Sequence, residues 1–254
     1  MDTIVLTGPT GHLGIQILKK LILSYNVIGL SRSASKLISL FQNSHSKGTY
    51  IPLDIDLRQE ESSKIILQIE EKLIELKSRP RGLVNNAFTD YPASYLSIDK
   101  QSVKDSAESL FGLQIRLAIE FAHLIKNDDV ASIVNVSSIY GKVSPRPSMY
   151  ETSEEMNPIL YGSMKAALIQ STKYLSMLLA PRGIRVNSVS FGAFPSEEVQ
   201  KSKPEFIKRL ASNTHFKRIG FAPEAAGIIE FLLSESSSYI TGADIPVDGG
   251  WTSW

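Results

Sequence analysis

Cysteine is absent from the 254 residues, and histidine occurs only four times. The lack of cysteine excludes disulfides and thiolate metal sites, and the histidines lack metal-ligand spacing, so we expect no bound metal. The net charge is only +1, which gives no electrostatic reason to expect nucleic acid or a membrane surface as a partner. No apolar run is long enough to span a bilayer, and no signal peptide precedes the first predicted strand, so we expect a cytoplasmic protein.

The chain is rich in hydrophobic residues, at 43% of the sequence, which is enough for a large core. Seven short β-rich runs alternate with longer segments of helical apolar spacing. The runs are TIVLT at 3–7, VIGLS at 27–31, TYIPL at 49–53, GLVNN at 82–86, SIVNVS at 132–137, RVNSVS at 185–190 and DIPV at 244–247. This alternation predicts an α/β fold over residues 1–254, in which one Rossmann-type doubly wound parallel sheet carries helices on both faces.

Three glycines follow the first predicted strand at three-residue spacing, in the stretch IVLTGPTGHLGIQILKK. Gly8 would permit a tight turn, Gly11 would let the backbone approach a pyrophosphate, and Gly14 would allow a helix to pack closely on the strand. The helix N-terminus would present N–H groups to the phosphates. The pattern predicts a dinucleotide-binding turn, with a purely structural turn as the alternative. The residues between the glycines would line the same site; they are Thr10, His12 and Leu13.

The end of the second predicted strand bears on the choice of dinucleotide. NAD-binding turns have an acidic residue for the ribose hydroxyls about 20 residues after the glycines, whereas this strand ends in Ser31-Arg32. A hydroxyl followed by a guanidinium suits the 2′-phosphate of NADP(H), so we expect NADP(H) in preference to NAD(H). The alternative is a solvated surface arginine. After the third strand, Asp54 and the adjacent Ile55 are candidates for contacts to the adenine, with a loop carboxylate as the alternative.

A tyrosine and a lysine lie four residues apart in NPILYGSMKAA. Asn157 predicts an N-cap and Pro158 the first helical position, so Tyr161 and Lys165 would be neighbours on one helix face. Farther along this helix, a stripe at helical spacing would face the sheet; it consists of Met164, Leu168, Ser171, Leu175 and Leu178. An adjacent ammonium lowers a tyrosine pKa from its ordinary value of about 10 towards the range useful for proton transfer. Tyr150 has Glu154 at the same offset, which opposes phenolate formation, so we favour Tyr161. Upstream, Ser138 follows a strand end, where its hydroxyl can bond a substrate oxygen.

Seven segments match the pattern of one family in order along nearly the whole chain. They are TGPTGHLG, LVNNA, IVNVSS, YGSMK, PRGIRVNSVSFG, PEAAG and YITGADIPVDGG. The chain therefore resembles the short-chain dehydrogenases/reductases. The resemblance implies a catalytic set of Ser138, Tyr161 and Lys165, in which Tyr161 moves the proton and Lys165 also holds the nicotinamide ribose. It implies assembly as a homodimer or homotetramer, in which the helix beginning at Pro158 packs against its twofold mate. It also implies further cofactor contacts at Asn86, Ala87, Gly192, Phe194 and Ser196.

The chain departs from this family pattern at several positions. The glycine spacing is that of extended members acting on nucleotide sugars, and Phe88 stands where a glycine normally follows the N-N-A sequence. The catalytic asparagine of the fourth helix has no counterpart, since Glu108 or Ser109 falls there, which puts the usual proton relay in doubt. Phe191 replaces a proline. Tyr161 follows Ser138 by 23 residues, a longer interval than usual, so residues 144–156 are an insertion that we expect to cover the pocket mouth.

The charges of the insertion favour a polar substrate. Arg146 and Glu151 are candidate substrate contacts, with Phe88 beside them, and Trp251 or Trp254 could present a flat face to a sugar ring. The insertion resembles that of a narrower subgroup in flagellin modification and polysaccharide biosynthesis. The sequence thus predicts an NADP(H)-dependent oxidoreductase that transfers hydride to or from a carbonyl or secondary alcohol of a small-molecule sugar derivative, for surface-glycan biosynthesis.

Three alternatives stay open at this point. A 3-oxoacyl-thioester reductase would need an apolar substrate channel. A nucleotide-sugar epimerase fits the glycine spacing, but such enzymes carry a further substrate domain. The absent asparagine slightly favours a non-catalytic dinucleotide-binding sensor or partner subunit, whereas the presence of Ser138, Tyr161 and Lys165 together argues for an enzyme.

Overall fold

The computed structural model describes residues 1–41, 46–88, 97–126 and 129–254. Its strands are β1 (Thr3–Thr7), β2 (Asn26–Ser31), β3 (Tyr50–Asp54), β4 (Pro80–Asn85), β5 (Ala131–Ser138), β6 (Ile184–Phe191) and β7 (Asp244–Val247). All seven pair in parallel in one sheet, in the order β3-β2-β1-β4-β5-β6-β7. Each strand lies within two residues of its predicted run, because strands buried on both faces are nearly continuous apolar runs.

Nine α-helices lie within the described residues. They are α1 (Gly14–Leu21), α2 (Ile38–Phe41), α3 (Ser62–Glu75), α4 (Lys100–Ala107), α5 (Leu113–His123), α6 (Ile159–Leu179), α7 (Glu197–Ser202), α8 (Pro204–Ser212) and α9 (Glu224–Leu233). A π-helical turn, Glu108–Gly112, joins α4 directly to α5. None of the helices in the described ranges is long and apolar enough to cross a membrane.

The two faces of the sheet bury separate apolar layers. Successive residues of a strand point to opposite faces, so Ile4 and Leu6 pack with α1 and α9, while Val5 packs with α3, α5 and α6. This two-faced burial confirms the predicted doubly wound Rossmann-type sheet.

The start and the buried face of α6 differ from the prediction. The helix begins at Ile159, and Pro158 is its N-cap, with an extended backbone at ψ 138°, so the predicted start was one residue early. The Asn157 Oδ1 accepts no hydrogen bond from a described residue, so it does not cap the helix. The helix buries Leu168, Thr172 and Leu175, whereas Leu178, predicted to face the sheet, is 60% exposed. The buried stripe is therefore rotated from the predicted one.

A third, smaller apolar cluster lies beside the sheet and includes part of the insertion. It consists of Ile139, Met149, Leu210, Ile219 and Trp251. Trp251 is only 2% exposed, because it packs within this cluster. It therefore offers no flat face to a sugar ring, contrary to the expectation from the sequence.

Candidate active site

A cavity of about 530 Å³ opens at the carboxyl ends of the strands. It lies where the strand order reverses between β1 and β4, which is where ligands bind in open parallel sheets. Its wall includes most of the residues predicted to bind a dinucleotide: Gly8, Thr10, Gly11, His12, Leu13, Gly14, Ser31, Arg32, Ile55, Asn86, Ala87, Gly192, Phe194 and Ser196. Ser138, Tyr161 and Lys165 line the same cavity.

The glycine turn has the geometry that the spacing predicted. Gly8 has a φ of +67°, which L side chains rarely adopt. A Cβ on Gly14 would come within 1.9 Å of the Gly8 carbonyl oxygen, whereas a Cβ on Gly11 would come no closer than 3.4 Å to any other group. The fold itself therefore requires Gly8 and Gly14, while Gly11 leaves open space on the cavity side. The Asn86 amide fixes the turn by donating to the Gly8 carbonyl at 3.0 Å.

The ends of β2 and β3 bring charged side chains of both signs to the wall of the cavity, namely Arg32, Asp56 and Arg58. Asp54 lies outside the lining, because its carboxylate accepts bonds from the Ser35 hydroxyl at 2.6 Å and backbone N–H at 2.9 Å, and these bonds lower its pKa. Asp56 is on the wall instead. The Arg58 guanidinium donates to it at 2.8 and 3.0 Å and, with a smaller contribution from Arg32, lowers the pKa of Asp56 to about 2.

Ser138 and Lys165 are both held by backbone groups. Ser138 ends β5, and its Oγ accepts the Tyr140 N–H at 3.2 Å. Since that bond occupies only an oxygen lone pair, the serine O–H is left free to donate towards the cavity. Lys165 is only 3% exposed, and its Nζ donates to the Val136 carbonyl at 2.8 Å. Burial lowers the Lys165 pKa to about 8, so the ammonium stays predominantly charged at pH 7.

Two aromatic rings flank the Lys165 ammonium. Its Nζ lies 5.7 Å from the Tyr161 ring centroid and 5.8 Å from that of Phe88, within cation–π range. The two rings meet edge to face at 6.1 Å. Phe88 itself is 55% exposed and lines the cavity. The side chain that replaces the family's glycine therefore lies directly against the tyrosine–lysine pair.

The π-helical turn carries the residues that replace the family's asparagine. Ser109 lines the cavity and is 4% exposed, yet no described residue bonds its Oγ. Gln114 donates to the Ser109 carbonyl at 2.9 Å, and its Oε1 also lacks a partner among the described residues. Glu108 points elsewhere and forms a bidentate ion pair with Arg116. Because buried polar atoms are nearly always bonded, Ser109 marks a place on the wall for an ordered water or a ligand.

The insertion lies outside the cavity, and none of residues 144–156 belongs to its lining. Arg146 donates to the Asn213 side chain at 2.8 Å, and Glu151 lies 3.4 Å from Arg209. Trp254 packs its edge against the His215 ring at 4.1 Å and is likewise absent from the lining. These groups were predicted to touch substrate, but the structure pairs them with α8 and the segment after it.

The amino-acid sequence itself carries the family assignment. Residues 26–252 match a family model described as enoyl-(acyl carrier protein) reductase. The chain is 30% identical to L-xylulose reductase of Caenorhabditis elegans, over 98% of this chain and 95% of that protein. The chain belongs to the short-chain dehydrogenase/reductase family. This dehydrogenase/reductase is also 24% identical to post-translational flagellin modification protein A of Campylobacter coli, over 98% and 97% of the two chains.

Solved structures agree with this assignment. YwfH, an NADPH-dependent reductase involved in bacilysin biosynthesis, superposes with a TM-score of 0.85 at 25% identity, covering 100% of this chain and 99% of that one. A 4-hydroxyisoleucine dehydrogenase complexed with NADH superposes with a TM-score of 0.82 at 25% identity, covering 100% of both chains. The protein is thus an NAD(P)-dependent oxidoreductase, and its relatives include users of both dinucleotides.

Several lining residues of this dehydrogenase/reductase were missed by sequence reasoning. Asp56, Leu57 and Arg58 follow β3 and line the cavity beside Arg32. A usable signal existed, since loops after parallel strands gather at the carboxyl edge of the sheet. Among the described residues, no cluster of three or more His, Asp or Glu side chains could hold a metal ion.

Proposed function

We propose that this enzyme uses NADP(H) to interconvert a carbonyl and a secondary alcohol on a sugar or sugar derivative, in a pathway that builds surface glycans. The observation that supports the cofactor preference most directly is the guanidinium of Arg32 on the wall at the end of β2. Arg58 also lines the wall, but its charge is balanced by the Asp56 carboxylate to which it donates. A dianionic 2′-phosphate beside Ser31 and Arg32 would gain charge-assisted bonds there.

The cavity residues fit a dinucleotide. Gly11 leaves the space that a pyrophosphate needs at the start of α1. The Lys165 ammonium has three N–H donors, one of which goes to Val136, so two can bond ribose hydroxyls. Gly192, Phe194 and Ser196 would flank the nicotinamide; the Ser196 hydroxyl also caps α7 by accepting the Val199 N–H at 3.4 Å.

The nicotinamide supplies or accepts a hydride when bound, while side chains of the protein bind the substrate oxygen and transfer its proton. Ser138 donates its free O–H to the substrate oxygen and so fixes the position of the reacting carbon. Tyr161 gives a proton to that oxygen during reduction, or takes one during oxidation. The Lys165 ammonium, 5.7 Å from the Tyr161 ring centroid, would stabilise negative charge that develops on the tyrosine oxygen as the proton moves.

The test of cofactor choice is the Arg32→Ala variant. The Kd of NADPH should weaken by roughly 1–3 kcal/mol, the range for losing a partner of a charged group, and the Kd of NADH should stay nearly constant. Arg146→Ala is the matched control, since Arg146 is an exposed arginine bonded to Asn213 outside the cavity lining. Calorimetry that shows equal losses for both dinucleotides, or a preference of the wild type for NADH, would contradict the proposal.

The sugar assignment draws support from two relatives, one named for the reduction of L-xylulose and one for flagellin modification. A 3-oxoacyl-thioester substrate is the second candidate. The matched family model carries an acyl-carrier-protein description, and the charges of the insertion, which spoke against an acyl channel, do not line the cavity.

The experiment that separates these candidates is NADPH oxidation measured with two panels, one of keto-sugars and one of 3-oxoacyl thioesters. We expect the higher kcat/KM in the keto-sugar panel. A preference for thioesters would establish the second candidate, and tight NADPH binding without turnover in either panel would favour the sensor. A single domain, a cytosolic location and assembly as a homodimer or homotetramer stay predictions.

A further inference from the structure

The insertion at residues 144–156 connects the catalytic region to α8. Met149 is 1% exposed in the third apolar cluster, and its carbonyl accepts the Arg209 Nε–H at 2.8 Å. Arg146 bonds Asn213 just beyond α8, and Glu155 lies 3.6 Å from Lys203 just before it. The insertion is therefore fastened at both ends of α8.

A second set of contacts runs from the insertion to Ser138. The Tyr150 ring packs on Phe206 of α8, with centroids 5.7 Å apart, and its hydroxyl bonds the Tyr140 hydroxyl at 2.9 Å. Tyr140 in turn donates its backbone N–H to Ser138 Oγ at 3.2 Å. The turn that carries Tyr140 lies directly on α6, because a Cβ on Gly162 would come within 2.8 Å of the Tyr140 carbonyl oxygen.

We propose that Tyr150 is a positioning residue for Ser138: its hydroxyl holds Tyr140, whose backbone N–H fixes the serine hydroxyl, and its ring ties this turn to Phe206 on α8. The proposal rests on the role assigned to Ser138 in the proposed function. The insertion thus acts on the reaction without lining the cavity.

The chemistry of the serine explains why this contact matters. A hydroxyl has one proton to donate and two lone pairs that accept. As long as the Tyr140 N–H occupies a lone pair, the Ser138 O–H keeps a direction in which it can meet the substrate oxygen. If the Tyr140 turn loosens, the serine samples other rotamers, and the bond that should be strongest in the transition state weakens.

The first test needs no substrate. Tyr150→Phe keeps the ring on Phe206 and removes the hydroxyl bond, so hydrogen exchange at the Tyr140 amide should become about two- to tenfold faster, the factor expected for loss of one neutral hydrogen bond. Tyr174→Phe, an exposed tyrosine on α6, is the matched control and should leave that amide unchanged. Unchanged exchange at Tyr140 in Tyr150→Phe would overturn the proposal.

The second test uses the best substrate from the two panels. In Tyr150→Phe, kcat should fall by about two- to tenfold while KM and the NADPH Kd stay constant, because a bond specific to the transition state weakens. Tyr140→Phe should show the same loss, and the double variant no larger one, since both remove a single bond. Independent, additive losses, or a wild-type kcat in Tyr150→Phe, would refute the positioning role. If the wild type turns over neither panel, the proposed function fails, and the exchange measurement still decides whether Tyr150 holds the serine turn.

Discussion

Replacement of Lys165 by methionine should make the protein more stable at neutral pH while removing its activity. The side chain is buried, and burial lowers its pKa from 10.5 to about 8. That difference corresponds to about 3 kcal/mol of unfavourable free energy in the charged folded state. Methionine fills a similar volume without a charge, at the cost of about 2 kcal/mol for the lost bond from the ammonium to the Val136 carbonyl. The expected net gain is about 1 kcal/mol, or a Tm higher by about 3 °C for a chain of this length.

The pH dependence gives the sharper form of this prediction. Between pH 8 and 10.5 the unfolded chain holds a proton on this lysine that the folded chain has released, so the wild type gains stability as pH rises. Lys165→Met lacks this gain. The advantage of Lys165→Met should therefore be largest at pH 7, and it should shrink and then reverse as the pH approaches 10.5, because only the lost bond to Val136 then remains.

The measurement is chemical denaturation of both proteins, without cofactor, from pH 7 to 10. Lys173→Met is the control, because Lys173 is an exposed lysine on the same helix, and it should track the wild type at every pH. A wild type as stable as Lys165→Met at pH 7, or a gap that does not change with pH, would refute the reasoning. Either result would mean that burial of the charged Lys165 ammonium does not lower the free energy of unfolding.

Three further predictions concern the catalytic set and the assembly. Tyr161→Phe should lower kcat by about 10²–10⁴-fold through loss of the proton-transfer group, with the NADPH Kd unchanged; a dead Tyr150→Phe beside an active Tyr161→Phe would reverse the assignment. Phe88→Gly should expose Lys165 and raise its pKa. In the Phe88→Gly protein, the further change Lys165→Met should therefore increase the free energy of unfolding at pH 7 by less than it does in the wild type. Leu178→Glu places a charge on the exposed face of α6 and should convert a dimer to a 28.0 kDa monomer in light scattering; a wild type that is already monomeric would contradict the assembly.

Most of the fold could be predicted because its signals are local. A strand buried on both faces must be an apolar run, and the glycine turn needs its φ value and close contacts wherever the chain goes next. The proposed catalytic pair also has a local signal, since Tyr161 and Lys165 are one helical turn apart on α6. The buried face of α6 could not be predicted from local signals. Apolar residues occur on nearly all sides of this helix, so tertiary packing decides which stripe is buried.

The wrong predictions of cofactor and substrate contacts share one cause: each of these side chains is bonded to a residue far away in the sequence. Asp54 was predicted to contact the adenine, but in the structure its carboxylate is bonded by Ser35, which lies in the segment after β2. Arg146 and Glu151 were charged residues of a loop, and nothing near them in sequence indicates Asn213 or Arg209 as their partners. The π-helical turn at Ser109 was not predicted either, because π-helical turns are rare and occur mostly as single turns within α-helical segments.

The departures from the family pattern meet around the catalytic set. Phe88 lies against Tyr161 and Lys165, Ser109 lines the same cavity without a partner among the described residues, and the insertion reaches Ser138 through Tyr140. Phe88 and the insertion each alter what one of the proposed catalytic groups contacts. Groups that share contacts in this way have coupled energies, so restoring one family residue, such as glycine at Phe88 or asparagine at Ser109, should not by itself improve the reaction. We therefore interpret Phe88, Ser109 and the insertion as changes that work together at one site, not as independent losses of family residues.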